Sequence, residues 1–486
     1  MREKSSRDLS KRAWTSIKID RRRHLNRIIF ISLCAVIALA PFFLGAVWPL
    51  AWDAVGLCVA LLLIMSVVGA KDEEQIFTKY LLVPSFLFGV VVIFIIVQIM
   101  PWIPRAWDNP IWDLAVTALG RNVVGTIAAD RQEALIGLFR LLSYAGIFYL
   151  AVLLCRDAAR AYAAIKLVTI SGSLYAVYGL VIFWSGNKTV MWFPKWAYRD
   201  DLTGTFVNRN SFATYLGLCT LAALCYLIKS FEHMRFEEYW RNRINGTIEF
   251  ISARIVVIIS IFALATALFL THSRGGLVST ICGISVLAIT MASNPSLKRL
   301  RRLGWIALPV AIFFIALFIS GGATLNRLIG TDIDVEERLS VYRLTIQAIT
   351  DYPWLGSGLN SFTFMFPIYR SPEIVKYYDL THNDYLQNLL ELGIPVALCL
   401  FTAILYLVAI CMRGLRLRRR DAIFPCMGVA ATFLVALHAM VDFSLQIPAV
   451  TYTYCFLLGT AVAQSWSSRQ LSLERSSETD LTPPQK

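Results

Sequence analysis

About twelve apolar runs, each close to the roughly 20 residues that a helix needs to cross a hydrocarbon core of about 30 Å, constrain this chain more than any other feature. They fall near 28–48, 50–69, 81–100, 133–154, 163–185, 210–228, 254–271, 276–292, 304–320, 386–412, 422–440 and 448–466. In lipid the backbone must satisfy its own hydrogen bonds, so the runs are read as helices. Composition agrees: the chain is 57% hydrophobic and only 16% charged. The expected fold is an all-α integral membrane protein of about twelve spans, occupying residues 28–466. A basic tail, 1–27, precedes it and a polar tail, 467–486, follows. The first run is too long for a cleaved signal and shows no small-x-small cleavage site, so it reads as an uncleaved helix.

The net charge of +14 invites a nucleic-acid reading, but the basic residues are distributed as the positive-inside rule requires. With the N-terminus in the cytoplasm, the outside segments 101–132, 186–209, 272–275 and 321–385 hold only 13 of the 46 Lys and Arg. Runs such as Lys298-Arg299-Leu300-Arg301-Arg302 and Arg416-Leu417-Arg418-Arg419-Arg420 fix the later helices in the same sense. Both termini are thus expected in the cytoplasm, membrane lipid is the partner, and nucleic acid is not. The ten cysteines lie in or beside apolar runs without CxxC or His/Cys spacing. They read as buried hydrophobes, with no metal site.

Two outside segments are long. The first, 101–132, brings Trp102, Trp107 and Trp112 to interface depth. The second, 321–385, has apolar residues at helical spacing (Val335, Leu339, Tyr342, Ile346, Ile349), with Arg338 and Arg343 elsewhere on that helix. Asp351-Tyr352-Pro353 ends it, and Gly356-Ser357-Gly358 makes a turn.

The polar residues that stand out all fall on the outside. Asn208, Arg209, Asn210 and Ser211 open the sixth run, where they can cap the helix or, with free N–H groups and the arginine, hold an anion. Arg274 lies in the tight turn Thr271-His272-Ser273-Arg274-Gly275-Gly276. It either snorkels to headgroups or offers its fork to a phosphate. Arg338 either belongs to a solvated face neutralised by Glu336 and Glu337 or joins the other arginines. His382, with Asn383 and Asp384, stands where the long loop re-enters the membrane, and histidine is the natural general base near neutral pH. His438 and Asp442, one turn apart, are expected to pair with each other and orient the bundle. Several arginines and a histidine, without a metal set, fit glycosyl transfer from a polyprenyl-diphosphate donor.

The motifs Gly204–Ala213, Ser273–Gly276, Arg338 through Asp351-Tyr352-Pro353-Trp354-Leu355-Gly356-Ser357-Gly358, His382–Gly393 and Val441-Asp442-Phe443 with Gln446-Ile447-Pro448 resemble, in order, the O-antigen ligase and polymerase superfamily of bacterial envelope glycosyltransferases. The resemblance spans roughly 200–450. It implies a twelve-helix fold in the bacterial inner membrane, with a large periplasmic loop between the ninth and tenth helices. It also implies an undecaprenyl-diphosphate-linked glycan donor and metal-independent chemistry without a cofactor. His382 matches the family's loop histidine, the proposed base for the acceptor hydroxyl. Arg274 matches an arginine proposed to hold the diphosphate, and Arg209 and Arg338 are placed there by analogy. Asn208, Asn210, Asn383, Asp384 and Asp442 would support them. In one place the chain departs: after His382-Asn383, Gly393 falls in register, but Val396 stands where lipopolysaccharide ligases often have Gly, Thr or Tyr.

The expected activity is therefore that of an O-antigen ligase, moving a glycan onto lipid A–core. The alternative is a polymerase of O-antigen or exopolysaccharide, whose acceptor is the growing glycan. A lipid-linked sugar transporter fits less well, because transporters place polar or broken helices at the midplane and these helix centres are apolar apart from Arg140. A structural division protein has no feature in its favour.

Overall fold

The computed structural model describes residues 22–69, 74–232, 245–293, 333–372, 374, 376–418 and 420–466. Within them eight helices are long and apolar enough to span a membrane. These are α1 (Arg22–Phe42), α2 (Pro49–Gly69), α3 (Glu74–Ile99), α5 (Arg131–Leu154), α6 (Ala158–Trp184), α7 (Arg209–Glu232), α9 (Arg274–Ser293) and α13 (Ile394–Leu417). Three helices have shorter apolar stretches: α8 (Asn245–Leu270), α14 (Ile423–His438) and α15 (Pro448–Ala463). Outside the apolar set lie α4 (Ile111–Leu119), α10 (Ile333–Asp351), α11 (Phe362–Tyr369), α12 (Asp384–Leu392) and a two-strand hairpin, β1 (Thr189–Val190) and β2 (Phe193–Pro194). The chain is an all-α multi-pass membrane protein in its described parts. The expected ninth run, 304–320, the start of the long loop, and both tails before 22 and after 466 lie outside the described residues.

Helix starts follow local chemistry. Asp130 caps α5 by accepting from the amides of Gln132 (2.8 Å) and Glu133 (2.9 Å). Asp157 caps α6 through Ala159, and Pro448 at the first position of α15 gives up no needed donor. The most enclosed of the eight long spans is α7, which packs against α6, α8, α9, α14 and α15. α15 is buried along nearly its whole length and leans on α5 and α14. The ten cysteines are all free. At one end of the bundle, Lys229 pairs with Asp421 at 2.5 Å, and Arg418 bonds the Trp466 carbonyl and Gln464, tying α7, α13, α14 and α15 together.

Three expectations are corrected. The run 386–412 is two helices: α12 ends at Leu392, and Gly393, with φ at +74°, turns the chain before α13 begins. Apolar residues continue across that break, so hydropathy alone could not see it. Arg274 does not sit in a turn but opens α9, with the Ser273 hydroxyl accepting from the Gly276 amide. On α10 the buried face is Val341, Thr345, Ala348 and Ile349, whereas Leu339 and Ile346 are 47% and 48% exposed. Val341, Ala348 and Ile349 join Phe362, Phe366, Ile374 and Leu390 in a small core shared by α10, α11 and α12. The segment before α13 thus has packing of its own beside the bundle.

Candidate functional site

Asn383 builds the turn that presents His382. Its side chain accepts from the amides of Tyr385 (3.0 Å) and Leu386 (3.1 Å), capping α12. Its amide nitrogen reaches the Met440 carbonyl at 3.0 Å, and the Asp384 amide donates to the Ala439 carbonyl at 2.9 Å. The start of α12 is thereby stitched to the connection between α14 and α15. His382 has φ at +55°, a conformation that non-glycine residues adopt at a cost. Tyr342 of α10 holds it there, donating to the His382 carbonyl at 2.7 Å.

The imidazole meets Asp442 of the α14–α15 connection, Nδ1 to Oδ1 at 3.2 Å, and packs edge-on against Phe443 at 4.6 Å. Its side chain is 13% exposed, and that of Asp442 only 1%. Asn210 donates to the other Asp442 oxygen, and the Phe443 amide donates to Oδ1 at 2.8 Å. Burial alone would push this carboxyl up. The hydrogen bond from His382, with the electrostatic pull of His382, His438 and Arg338, outweighs it and holds Asp442 at about 2. An ionised carboxylate only accepts, so it fixes the proton on Nδ1 and leaves Nε2 as the acceptor of the ring. His438 does not pair with Asp442 through its side chain. Its Nδ1 meets the Ser444 hydroxyl at 3.0 Å, which meets Thr214 at 2.9 Å.

Arg338 reaches the same connection, and so do the residues next to Arg274 and Arg209. Arg338 donates to the Val441 carbonyl at 3.3 Å. A Cβ on Gly275, beside Arg274, would lie 3.0 Å from the Val441 side chain and 3.5 Å from the His438 ring. Asn210, next to Arg209, is the residue that reaches Asp442, while Asn208 caps α7 by accepting from the Asn210 amide at 2.7 Å. Arg209 itself pairs with Asp201 at 2.7 Å and lies over the Tyr198 ring. The other Asp201 oxygen meets His272 Nδ1 at 2.8 Å. Burial opposes ionisation of Asp201, but His272 and Arg209 prevail and hold it below the usual carboxylate range. Asp384 is the opposite case. Burial drives its carboxyl well above the usual range despite the bond from the Leu445 amide. Arg343 of α10 is exposed. Among the described residues no three His, Cys, Asp or Glu side chains stand together to hold a metal ion.

The structure therefore gathers Asn208, Arg209, Asn210, Arg274, Arg338, His382, Asn383, Asp384 and Asp442 around one connection, 439–447. Sequence reasoning missed Asp201, His272, Tyr342 and Ser444. His272 stood beside a noted arginine, but its partner lies 71 positions away, and no spacing rule announces it.

The region holding His382, Arg274 and Arg338 can be compared with known families. Residues 258–401 match the O-antigen ligase family model. The match supports an O-antigen ligase-like superfamily and a membrane glycosyltransferase of ligase or polymerase type. This O-antigen ligase-like stretch runs from within α8 into α13 and contains Arg274, Arg338 and His382. Arg209, Asn210 and Asp442 lie outside it, yet the fold brings them to the same place. No curated protein matches the chain.

Proposed function

We propose that the chain moves a glycan from undecaprenyl diphosphate to a hydroxyl of lipid A–core at the periplasmic face of the bacterial inner membrane, as an O-antigen ligase. The observation that carries this reading is the His382–Asp442 pair set on the same connection that Arg338 and the start of α9 touch. In the step, His382 Nε2 takes the proton of the acceptor hydroxyl as its oxygen attacks the anomeric carbon. The bond from that carbon to the diphosphate oxygen breaks, and the electron pair leaves with the diphosphate. Arg274, Arg209 and Arg338 face the growing charge, for which guanidinium forks suit phosphate oxygens. Asp442 holds Nδ1–H and steadies the imidazolium as it forms. No metal takes part in this reading.

Support for a lipid-borne donor comes from helix length. α14 has 16 residues, about 24 Å of helix at 1.5 Å per residue, less than the hydrocarbon core of about 30 Å. A span that short would set the connection that follows it near headgroup depth. A second reading, polymerase, draws on Val396, which departs from the ligase pattern. The deletion strain separates the two on a lipopolysaccharide gel. A ligase predicts core without attached glycan, and a polymerase predicts core capped by a single repeat. A normal ladder would count against both.

A further inference from the structure

A second polar network, outside the site described above, runs the length of α12 and ends on the turn that presents His382. It begins ten residues into α5, where Arg140 sits over the Trp52 ring at 5.0 Å and donates to the Asn360 side chain at 2.5 Å. Asn360, with φ at +65°, donates its side-chain nitrogen to Glu133 at 3.0 Å and its backbone amide to Glu391 Oε2 at 2.8 Å. The other Glu391 oxygen accepts from Gln387 Nε2 at 3.0 Å. Gln387 Oε1 then faces the Thr381 amide at 3.3 Å. Thr381 in turn donates to the Asn383 carbonyl at 2.7 Å and accepts from the Asn383 amide at 3.1 Å. Glu391, Gln387 and Thr381 are buried.

Hydrogen-bond direction makes this path specific. A side-chain amide can point either way round, and only its partners decide. Both Glu391 oxygens accept here, one from the Asn360 amide and one from Gln387, so it is the Gln387 nitrogen that faces it. The Gln387 oxygen is thereby left for Thr381, the residue before His382. His382 itself is in a strained left-handed conformation, which persists only where its surroundings over-determine it. Tyr342 holds the His382 carbonyl on one side. The Gln387–Thr381 contact holds the other.

We infer that Glu391 is a positioning residue for His382, acting through Gln387 and Thr381 and anchored on α5 by Asn360 and Arg140. The inference rests on the reading of His382 as the base. It goes beyond that reading by assigning a job to a buried carboxylate at the other end of α12.

The test exploits the direction of the bonds, in the full-length protein in lipid nanodiscs. Glu391→Gln turns one acceptor into a donor and leaves a clash with either Asn360 N–H or Gln387 Nε2. The swap Gln387→Glu/Glu391→Gln restores every bond: residue 391 accepts from Asn360 and donates to residue 387, which accepts from Thr381. Two readouts are taken. One is the ring signal of His382 in protein labelled at its five histidines, with His272 as internal control. The other is transfer from a polyprenyl-diphosphate-linked glycan. Glu391→Gln is expected to move the His382 signal and leave that of His272. It should also lower kcat about tenfold or more with KM within about twofold. The swap should return both readouts toward wild type. If Glu391→Gln does not fold, Gln387→Ala replaces it, with the same expectation. An unmoved His382 signal, or a swap that restores nothing, overturns the inference. Wild-type protein that transfers no glycan would contradict the proposed function, while the ring signal still decides this point.

Discussion

At the scale of single residues, the proposed chemistry rests on His382 and Asp442, with Glu391 as the inferred positioning residue. Asp442→Asn keeps the shape but turns one of the two accepting oxygens into a donor and removes the charge that steadies the imidazolium, so transfer should fall by about 10²-fold or more with the protein still folded. Rates of the purified variant, beside its melting curve, check this. Glu391 governs a different pH range. Burial pushes it from 4.5 to about 7, against the bonds from Asn360 and Gln387 and the charge of Arg140. A raised carboxyl favours the protonated form in the fold. Its contribution is complete below 4.5 and lost as pH rises through about 7. Asp384 is shifted in the same direction. Asp442, held at about 2, loses its contribution only as pH falls below its ordinary 3.8, outside this window. The Tm should therefore decline from pH 5 to pH 8, by an amount worth up to about 3 kcal/mol from Glu391. Glu391→Gln should flatten that slope, and an unchanged slope would count against the assignment.

At the scale of elements, the junction of α12 with the loop before it decides whether the site exists. Ser357 and Gly358 donate to the carbonyls of Leu390 and Glu391, and Ile394 donates to that of Pro353. Gln98 of α3 bonds the carbonyls of both Leu355 and Glu391. A Cβ on Gly356 would lie 2.4 Å from the Gly393 nitrogen, and one on Gly393 2.5 Å from the Trp354 carbonyl oxygen. Both glycines also have positive φ. Gly356→Ala and Gly393→Ala should each cost roughly 2 kcal/mol or more, since backbone cannot move aside. Thermal unfolding measures it, and wild-type stability would be contrary. The run lengths made most helices legible in the sequence, and the cap at Asn208 was legible too, whereas the cap at Asn383 was not read there. The turn Gly356-Ser357-Gly358 was also legible, but its partner was not, because Gly393 sits inside a continuous apolar stretch. Asp201, His272 and the Arg140–Asn360 contact were hidden for another reason: their partners are 71 and 220 positions away, and only tertiary packing joins them.

At the scale of the whole molecule, five separate stretches meet at one end of the bundle: the starts of α7 and α9, helix α10, the entry to α12 and the connection 439–447. The opposite end is held by Lys229, Asp421, Arg418 and Gln464. In the proposed reading the charge bias of the loops sets the first end toward the periplasm. A single cysteine introduced at Asn187, in a variant without the native cysteines, should react with an impermeant maleimide from outside intact spheroplasts. One at Arg420 should react only after lysis, and the reverse pattern would invert the topology. The most direct test of the central claim is transfer by purified protein in a bilayer, from an undecaprenyl-diphosphate-linked glycan to a hydroxyl acceptor. The account predicts that His382→Ala, folded as wild type, is slower by about 10²- to 10⁴-fold. Transfer by His382→Ala at the wild-type rate would contradict it.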